Sequence, residues 1–162
     1  MQNGTRDARR GDRRVLYFDT SVILPLFVPE PTSKAVMAFV DSLPAEQLTI
    51  SDWAMLEFAS VLGRHVRTGR ITQAFAAEVT VRFEQLMPGT FRILLPSAAD
   101  FTLARQWLAD PARGLRAGDA LHLAVAGNND ARALFTFDKN MLRAGRDLGL
   151  TMSTGIELPS YS

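Results

Sequence analysis

The sequence predicts an α/β domain: a parallel central sheet flanked by helices, with a helical hairpin on one side. Three observations carry that prediction. Short apolar runs alternate with longer stretches of helical period. Two of the runs, VLYF at 15–18 and LFTF at 134–137, are nearly unbroken, as in strands covered on both faces. Hairpin signals between the runs are few, so helices join the strands and the strands lie parallel.

Each element follows from its own residues. Val15–Phe18 forms the first strand and ends at Asp19. A helix near Ser21–Phe27 is closed by Pro29 and Pro31, which have no amide hydrogen to continue it. Thr32 is expected to cap a helix over Ser33–Ser42, ended by Pro44. Gln47–Ile50 reads as the second strand. Ser51 and Asp52 open a helix that reaches Thr68, stops at Gly69 and contains Glu57. Thr72 opens another amphipathic helix up to Met87, and Pro88-Gly89 is expected to turn the chain into the strand Phe91–Leu95. The short turn between these two helices makes them the predicted hairpin. Ser97 and Asp100 are spaced as a capping box for a helix to Leu108, and Pro111–Gly114 is a loop. A helix from Gly118 to Gly127, with Asp119 at its start, leads to the strand Ala133–Phe137, which ends at Asp138. A last helix over Asn140–Leu148 and a short strand at Leu150–Met152 complete the order.

The 162 residues suffice for one ordinary domain with one active surface. Residues 15–162 are read as that domain. Residues 1–14 read as a flexible basic leader or an over-extended start, with an RNA-contacting arm as the alternative. This leader sets five arginines (Arg6, Arg9, Arg10, Arg13, Arg14) against Asp7 and Asp12, a charge of +3. The remainder holds 13 basic and 15 acidic groups, or −2, so a polyanion must meet a local patch. Cysteine is absent, which excludes disulfides, a thiolate nucleophile and sulfur-ligated zinc, and two histidines make a protein-only zinc site a poor fit. Asp19 interrupts the first apolar stretch, which falls short of the roughly 18 residues of a membrane span and precedes no cleavage site. A cytoplasmic protein with no membrane association is expected.

Two acids end two strongly apolar strands, Asp19 and Asp138. In open parallel sheets ligands bind beyond the carboxyl ends of the strands, so adjacency of these two strands brings both carboxylates to one crevice. Asp119 can point to the same edge from its helix start. Glu57 sits mid-helix among Leu56, Phe58 and Val61, where a bare carboxylate is costly. Three carboxylates ~4 Å apart in an effective dielectric near 20 repel by about 4 kcal/mol per pair. Such a cluster needs shifted pKa values or a cation, and oxygen ligands without cysteine select Mg2+ or Mn2+. Plainer readings exist for single residues: Asp119 as a charge at a helix start, Asp138 as a turn former, Glu57 as half of a surface pair.

Taken in order, Asp19-Thr20-Ser21, Glu57, Gly118-Asp119-Ala120 and Thr136-Phe137-Asp138 resemble the PIN-domain ribonucleases, most of all their VapC-type toxins. The resemblance spans Val15 to Met152, and the basic leader departs from the family's usual start at the first strand. It implies a PIN-like fold, with Asp19, Glu57, Asp119 and Asp138 as a catalytic, metal-binding quartet and Ser21 and Thr136 as supporting hydroxyls. It also implies RNA as substrate, a homodimer, and a small antitoxin as partner, whose arginine would imitate the cation among the carboxylates.

Hydrolysis of a phosphodiester needs charge neutralisation, an in-line nucleophile and help for the leaving oxygen, which divalent ions supply. Glu57 is placed to ligate directly, orient a metal-bound water or act as general base. Arg64, Arg67 and Arg70, and Arg113 and Arg116 before Asp119, are candidate phosphate clamps, with a solvated face as the plainer reading. Trp53 and Trp107 have the chemistry to stack on bases but occupy core-type helix positions. His122, one turn after Asp119, and His65 read as packed or hydrogen-bonded histidines. Two other functions stay open: an aspartate phosphotransfer or phosphatase domain using Asp19, although Ser21 stands where a second acid would be wanted, and a non-cleaving RNA- or protein-binding module of the same fold.

Overall fold

Alternation along the first strand decides which residues meet which helices. β1 is Leu16–Phe18, buried throughout; Leu16 and Phe18 enter one apolar core and Tyr17 the other. The computed structural model describes residues 15–159, and the leader over 1–14 lies outside the described residues. With β2 (Leu48–Ser51), β3 (Arg92–Leu94), β4 (Ala133–Phe135) and β5 (Met152–Ser153) the sheet runs β3-β2-β1-β4-β5. Every pairing is parallel, with Leu16 in register with Leu48 on one side and Ala133 on the other. This is the expected α/β architecture.

Helices cover both faces. On one face α1 (Thr20–Ile23), α2 (Ser33–Asp41), α3 (Asp52–Arg67) and α4 (Gln73–Thr90) share a core with Leu16, Phe18, Ile50 and Phe135. On the other, α6 (Ala117–Asn128) and α7 (Lys139–Asp147) meet Tyr17, Leu134 and Met152. α5 (Ala98–Leu108) lies on α6 through Ala104, Ala120 and Ala124, and the Ser97–Asp100 capping box opens it as expected. α3 and α4 form the predicted hairpin. Gly69 turns it at φ +71°, and Phe58 stacks on Phe83 at 3.8 Å with 4° between the rings. Among the described residues no helix is long and apolar enough to cross a membrane.

Several elements differ from expectation. Helix α4 runs through Pro88 to Thr90 instead of turning there. Proline sacrifices only its own amide bond, and in the last turn the buried Met87 and Phe91, joined by the Phe91 N–H to Met87 carbonyl bond of 2.9 Å, hold the helix together. Thr32 has helical backbone angles and makes no capping bond; the Glu30 amide donates instead to Ser33 Oγ at 2.9 Å. The helix expected over Ser21–Phe27 is α1 followed by a 3-10 turn at Leu24–Leu26. Pro111–Arg113 is likewise a 3-10 turn, closed at Gly114 with φ +64°. β4 is shorter than expected, and β5 starts later because the Leu150 amide closes the turn after α7 by bonding the Gly145 carbonyl at 2.9 Å.

Strand order positions the site. The chain winds from β1 to β2 and β3, then crosses back to β4 and β5 on the other side of β1. A crevice opens at this reversal, beyond the carboxyl ends of β1 and β4. Asp19 and Asp138 follow those two strands.

Candidate active site

Asp19 follows β1 as the N-cap of α1. It is 4% exposed. Its Oδ1 accepts from the Ser21 amide at 3.0 Å and from Ser21 Oγ at 2.6 Å, and its Oδ2 accepts from Thr136 Oγ1 at 2.9 Å. The same two hydroxyls accept amides of the loop after β4: Phe137 N–H donates to Ser21 Oγ at 2.9 Å, and Asp138 N–H to Thr136 Oγ1 at 3.0 Å. Serine and threonine, each donor and acceptor at once, thus lace the two strand ends together. Burial pushes the Asp19 carboxyl above the ordinary range, against the pull of His122 and of the Ser21 and Thr136 bonds, and the Glu57 charge adds to the rise.

Asp138 caps α7, accepting the Met141 amide at 2.8 Å. Asp119 sits in the first turn of α6 and accepts the Arg116 amide at 3.0 Å. Burial raises the Asp119 carboxyl, the Arg116 amide opposes it, and the charges of Asp138 and Glu57 raise it further. The plainer roles of Asp119 at a helix start and Asp138 at a turn are therefore real, and compatible with a place in the same crevice.

Glu57 reaches in from α3. Both of its hydrogen bonds fall on Oε2, which accepts from Thr20 Oγ1 at 2.5 Å and meets His122 Nε2 at 2.9 Å. Burial pushes this carboxyl up, but the bond and charge of His122, with Thr20 and Arg64, bring it below the ordinary value. A Cβ on Gly118 would lie 3.1 Å from Glu57 Oε1 and 3.2 Å from Trp53 Cζ2, so glycine is what lets α6 approach α3 this closely.

The four carboxylates line one cleft of about 360 Å3, together with Thr20, Ser21, Ser60, Arg64, Arg67 and Arg116. Among the described residues no three His, Asp or Glu side chains are arranged to hold a metal ion by themselves. The four acids share the cleft without three of them closing a metal cage among the described residues. Each acid accepts hydrogen bonds of its own, and the charges still act on one another across the cleft.

Residues 16–147 match the family model described as PIN domain. The chain belongs to the PIN-domain family. Comparison with curated protein sequences gives no match. Solved structures share the fold. FitAcB from Neisseria gonorrhoeae aligns at a TM-score of 0.70 and 20% identity over 87% of this chain and 98% of that one. VapC20 from Mycobacterium tuberculosis, described as a sarcin-ricin loop cleaving toxin, aligns at 0.64 and 20% identity over 80% and 95%. VapBC-1 from nontypeable Haemophilus influenzae aligns at 0.63 and 18% identity over 87% and 98%.

In this PIN domain two of the five candidate arginines stay out of the cleft. Arg113 pairs with Asp110 at 3.3 Å, on the far side of the Gly114 turn from Arg116. Arg70 lies beyond the end of α3, past the Gly69 turn. Trp53 and Trp107 pack against the second core. His65 is buried, with Nδ1 unpartnered among the described residues. His122 is buried and hydrogen-bonded, as read from sequence, but its partner is Glu57. The residue missed altogether is Tyr17, whose hydroxyl lies 2.8 Å from His122 Nδ1 and 2.7 Å from Ser51 Oγ. Its signal was present: a tyrosine inside a fully buried strand needs a partner for its hydroxyl.

Proposed function

We propose that this PIN domain is a divalent-cation-dependent endoribonuclease that acts in the cytoplasm as the toxin of a toxin–antitoxin pair. The observation that carries the reading is one cleft in which Asp19, Glu57, Asp119 and Asp138, from four separate chain segments, face Arg64, Arg67 and Arg116. Acid against base in one groove suits a substrate that is itself anionic and comes with a cation.

The donor set fits Mg2+ or Mn2+. Every candidate ligand is a hard oxygen, and Mg2+ keeps several waters and binds through one or two carboxylates, so splayed acids suit it better than a closed cage. Asp19, Asp119, Asp138 and Oε1 of Glu57 would hold it, directly or through water. When bound, the cation neutralises phosphoryl charge and lowers the pKa of a water ligand. The chain's own residues do the rest. Ser21 and Thr136 fix both oxygens of Asp19, and Arg64, Arg67 and Arg116 hold the phosphates and set the strand's path.

The toxin role rests on the family resemblance and on the described activity of VapC20. FitAB and VapBC-1 support a small antitoxin partner, and a homodimer belongs to the same proposal. The phosphotransfer alternative is disfavoured because Ser21 stands where a second, proton-donating acid would be wanted, and its hydroxyl is committed to Asp19 Oδ1 at 2.6 Å. The test is incubation of the purified protein with RNA in Mg2+ or Mn2+, with and without EDTA, beside Asp19→Asn. Cleavage that EDTA stops, excess cation restores and Asp19→Asn lacks is the expected result. Cleavage that survives EDTA, or a phosphorylated Asp19, would refute it.

A further inference from the structure

The geometry points to His122 as a positioning residue for Glu57: a buried chain running Ser51–Tyr17–His122 holds Oε2 of Glu57, so that Oε1 alone is presented to a cation in the cleft. The inference rests on the metal-site reading above. Its members come from three elements of the sheet's second face. Tyr17 of β1 and Ser51 of β2 are fully buried and His122 of α6 is 1% exposed. Contacts of 2.7, 2.8 and 2.9 Å link them in sequence to the carboxylate. At the far end Ser51 caps α3, the helix that carries Glu57, accepting the Ala54 amide at 3.4 Å. The chain therefore leaves α3 at its first turn and returns to it at Glu57.

The protons fall in with this order: Tyr17 O–H donates to Ser51 Oγ, the phenolic oxygen faces Nδ1 of His122, and Nε2–H of His122 donates to Glu57. The tyrosine ring also meets the imidazole edge-on at 5.8 Å, which fixes the plane of the imidazole. A freely rotating glutamate would present either or both oxygens. Gripped at Oε2 by His122 and Thr20, this one presents Oε1 beside Gly118. Groups that hold a ligating side chain in this way are worth 10–100-fold in metal affinity.

The test is Mn2+ binding to folded protein, by calorimetry or electron paramagnetic resonance, for wild type, Asp19→Asn, His122→Leu, His122→Gln and Tyr17→Phe, with thermal unfolding recorded for each. His122→Leu is expected to weaken Mn2+ binding at least tenfold. His122→Gln, which keeps an N–H toward Glu57, recovers part of the loss. Tyr17→Phe, nearly isosteric, weakens binding severalfold while RNA affinity in EDTA stays unchanged. Wild-type Mn2+ affinity in both His122→Leu and Tyr17→Phe, with Asp19→Asn impaired, would overturn this inference and leave the metal site standing. Wild-type protein that binds no Mn2+ would overturn both. If His122→Leu fails to fold, Tyr17→Phe decides.

Discussion

Gly118→Ala sets two quantities from the structure against each other. The position lies in the first turn of α6, where replacing glycine relieves a backbone-entropy cost of roughly 0.5–1 kcal/mol. Against that, the new methyl would stand 3.1 Å from Glu57 Oε1, 3.2 Å from Trp53 Cζ2 and 3.4 Å from Trp53 Nε1. Contacts this short require neighbours to move by a few tenths of an ångström. Trp53 packs against the core and Glu57 is tethered at Oε2 by two bonds, so neither yields freely, and overpacking of this kind costs roughly 1–3 kcal/mol. The net is a loss of about 1 kcal/mol, or roughly 2–4 °C in Tm for a domain of this size. Scanning calorimetry in EDTA measures it. Mn2+ affinity and RNA cleavage are expected to fall further than stability, because the methyl displaces the one Glu57 oxygen that faces the cleft. A variant stabilised by the full propensity gain, with Mn2+ binding and cleavage unchanged, would refute the reasoning and show that α6 and α3 have slack between them.

Three other outcomes can be checked directly. Asp19 has a raised carboxyl pKa, so its protonated form favours the fold, and the stability this gives is present below the unfolded value and lost as pH rises through the folded one. Asp19→Asn removes that loss; its stability relative to wild type, from unfolding in EDTA, is expected to climb from acid to neutral pH, and a flat difference would remove the buried charge as the cause. The double variant Arg64→Ala/Arg67→Ala is expected to flatten the slope of log K against log salt for single-stranded RNA by about 1.4, at roughly 0.7 per phosphate contact; an unchanged slope would move the substrate path elsewhere. Phe83→Ala, which deletes the ring stacked on Phe58, is expected to cost roughly 3–5 kcal/mol in urea unfolding, and a loss under 1 kcal/mol would mean the hairpin is held by other contacts.

Local chemistry was readable wherever one residue's requirement settles the structure. Apolar runs ending at Asp19 and near Asp138 gave two strands, and Ser51, Thr72 and Ser97 each cap the helix expected after them. What the sequence left open is non-local. The adjacency of β1 and β4, which brings Asp19 and Asp138 together, joins segments more than 110 residues apart and depends on a crossover that no short pattern encodes. Arg113 and Arg116 precede Asp119 by six residues and by three, and spacing alone does not separate their roles; the left-handed turn at Gly114 leaves one paired with Asp110 and the other lining the cleft. Pro88 misled because proline stops a helix only where its missing bond and its ring cannot be absorbed, and a last turn flanked by two buried apolar residues absorbs both. Tyr17 and His122 are 105 positions apart; burial of each was foreseeable, their meeting was not.

The hydroxyl lacing between the loops after β1 and β4 has a consequence for how the cleft meets its occupants. Two hydroxyls gathered on the Asp19 carboxylate, and the main-chain amides they accept, cast its shape from within the chain. A metal ion, a guanidinium or a phosphate arriving there enters a mould already set, and little of its affinity is diverted into reshaping the protein around it.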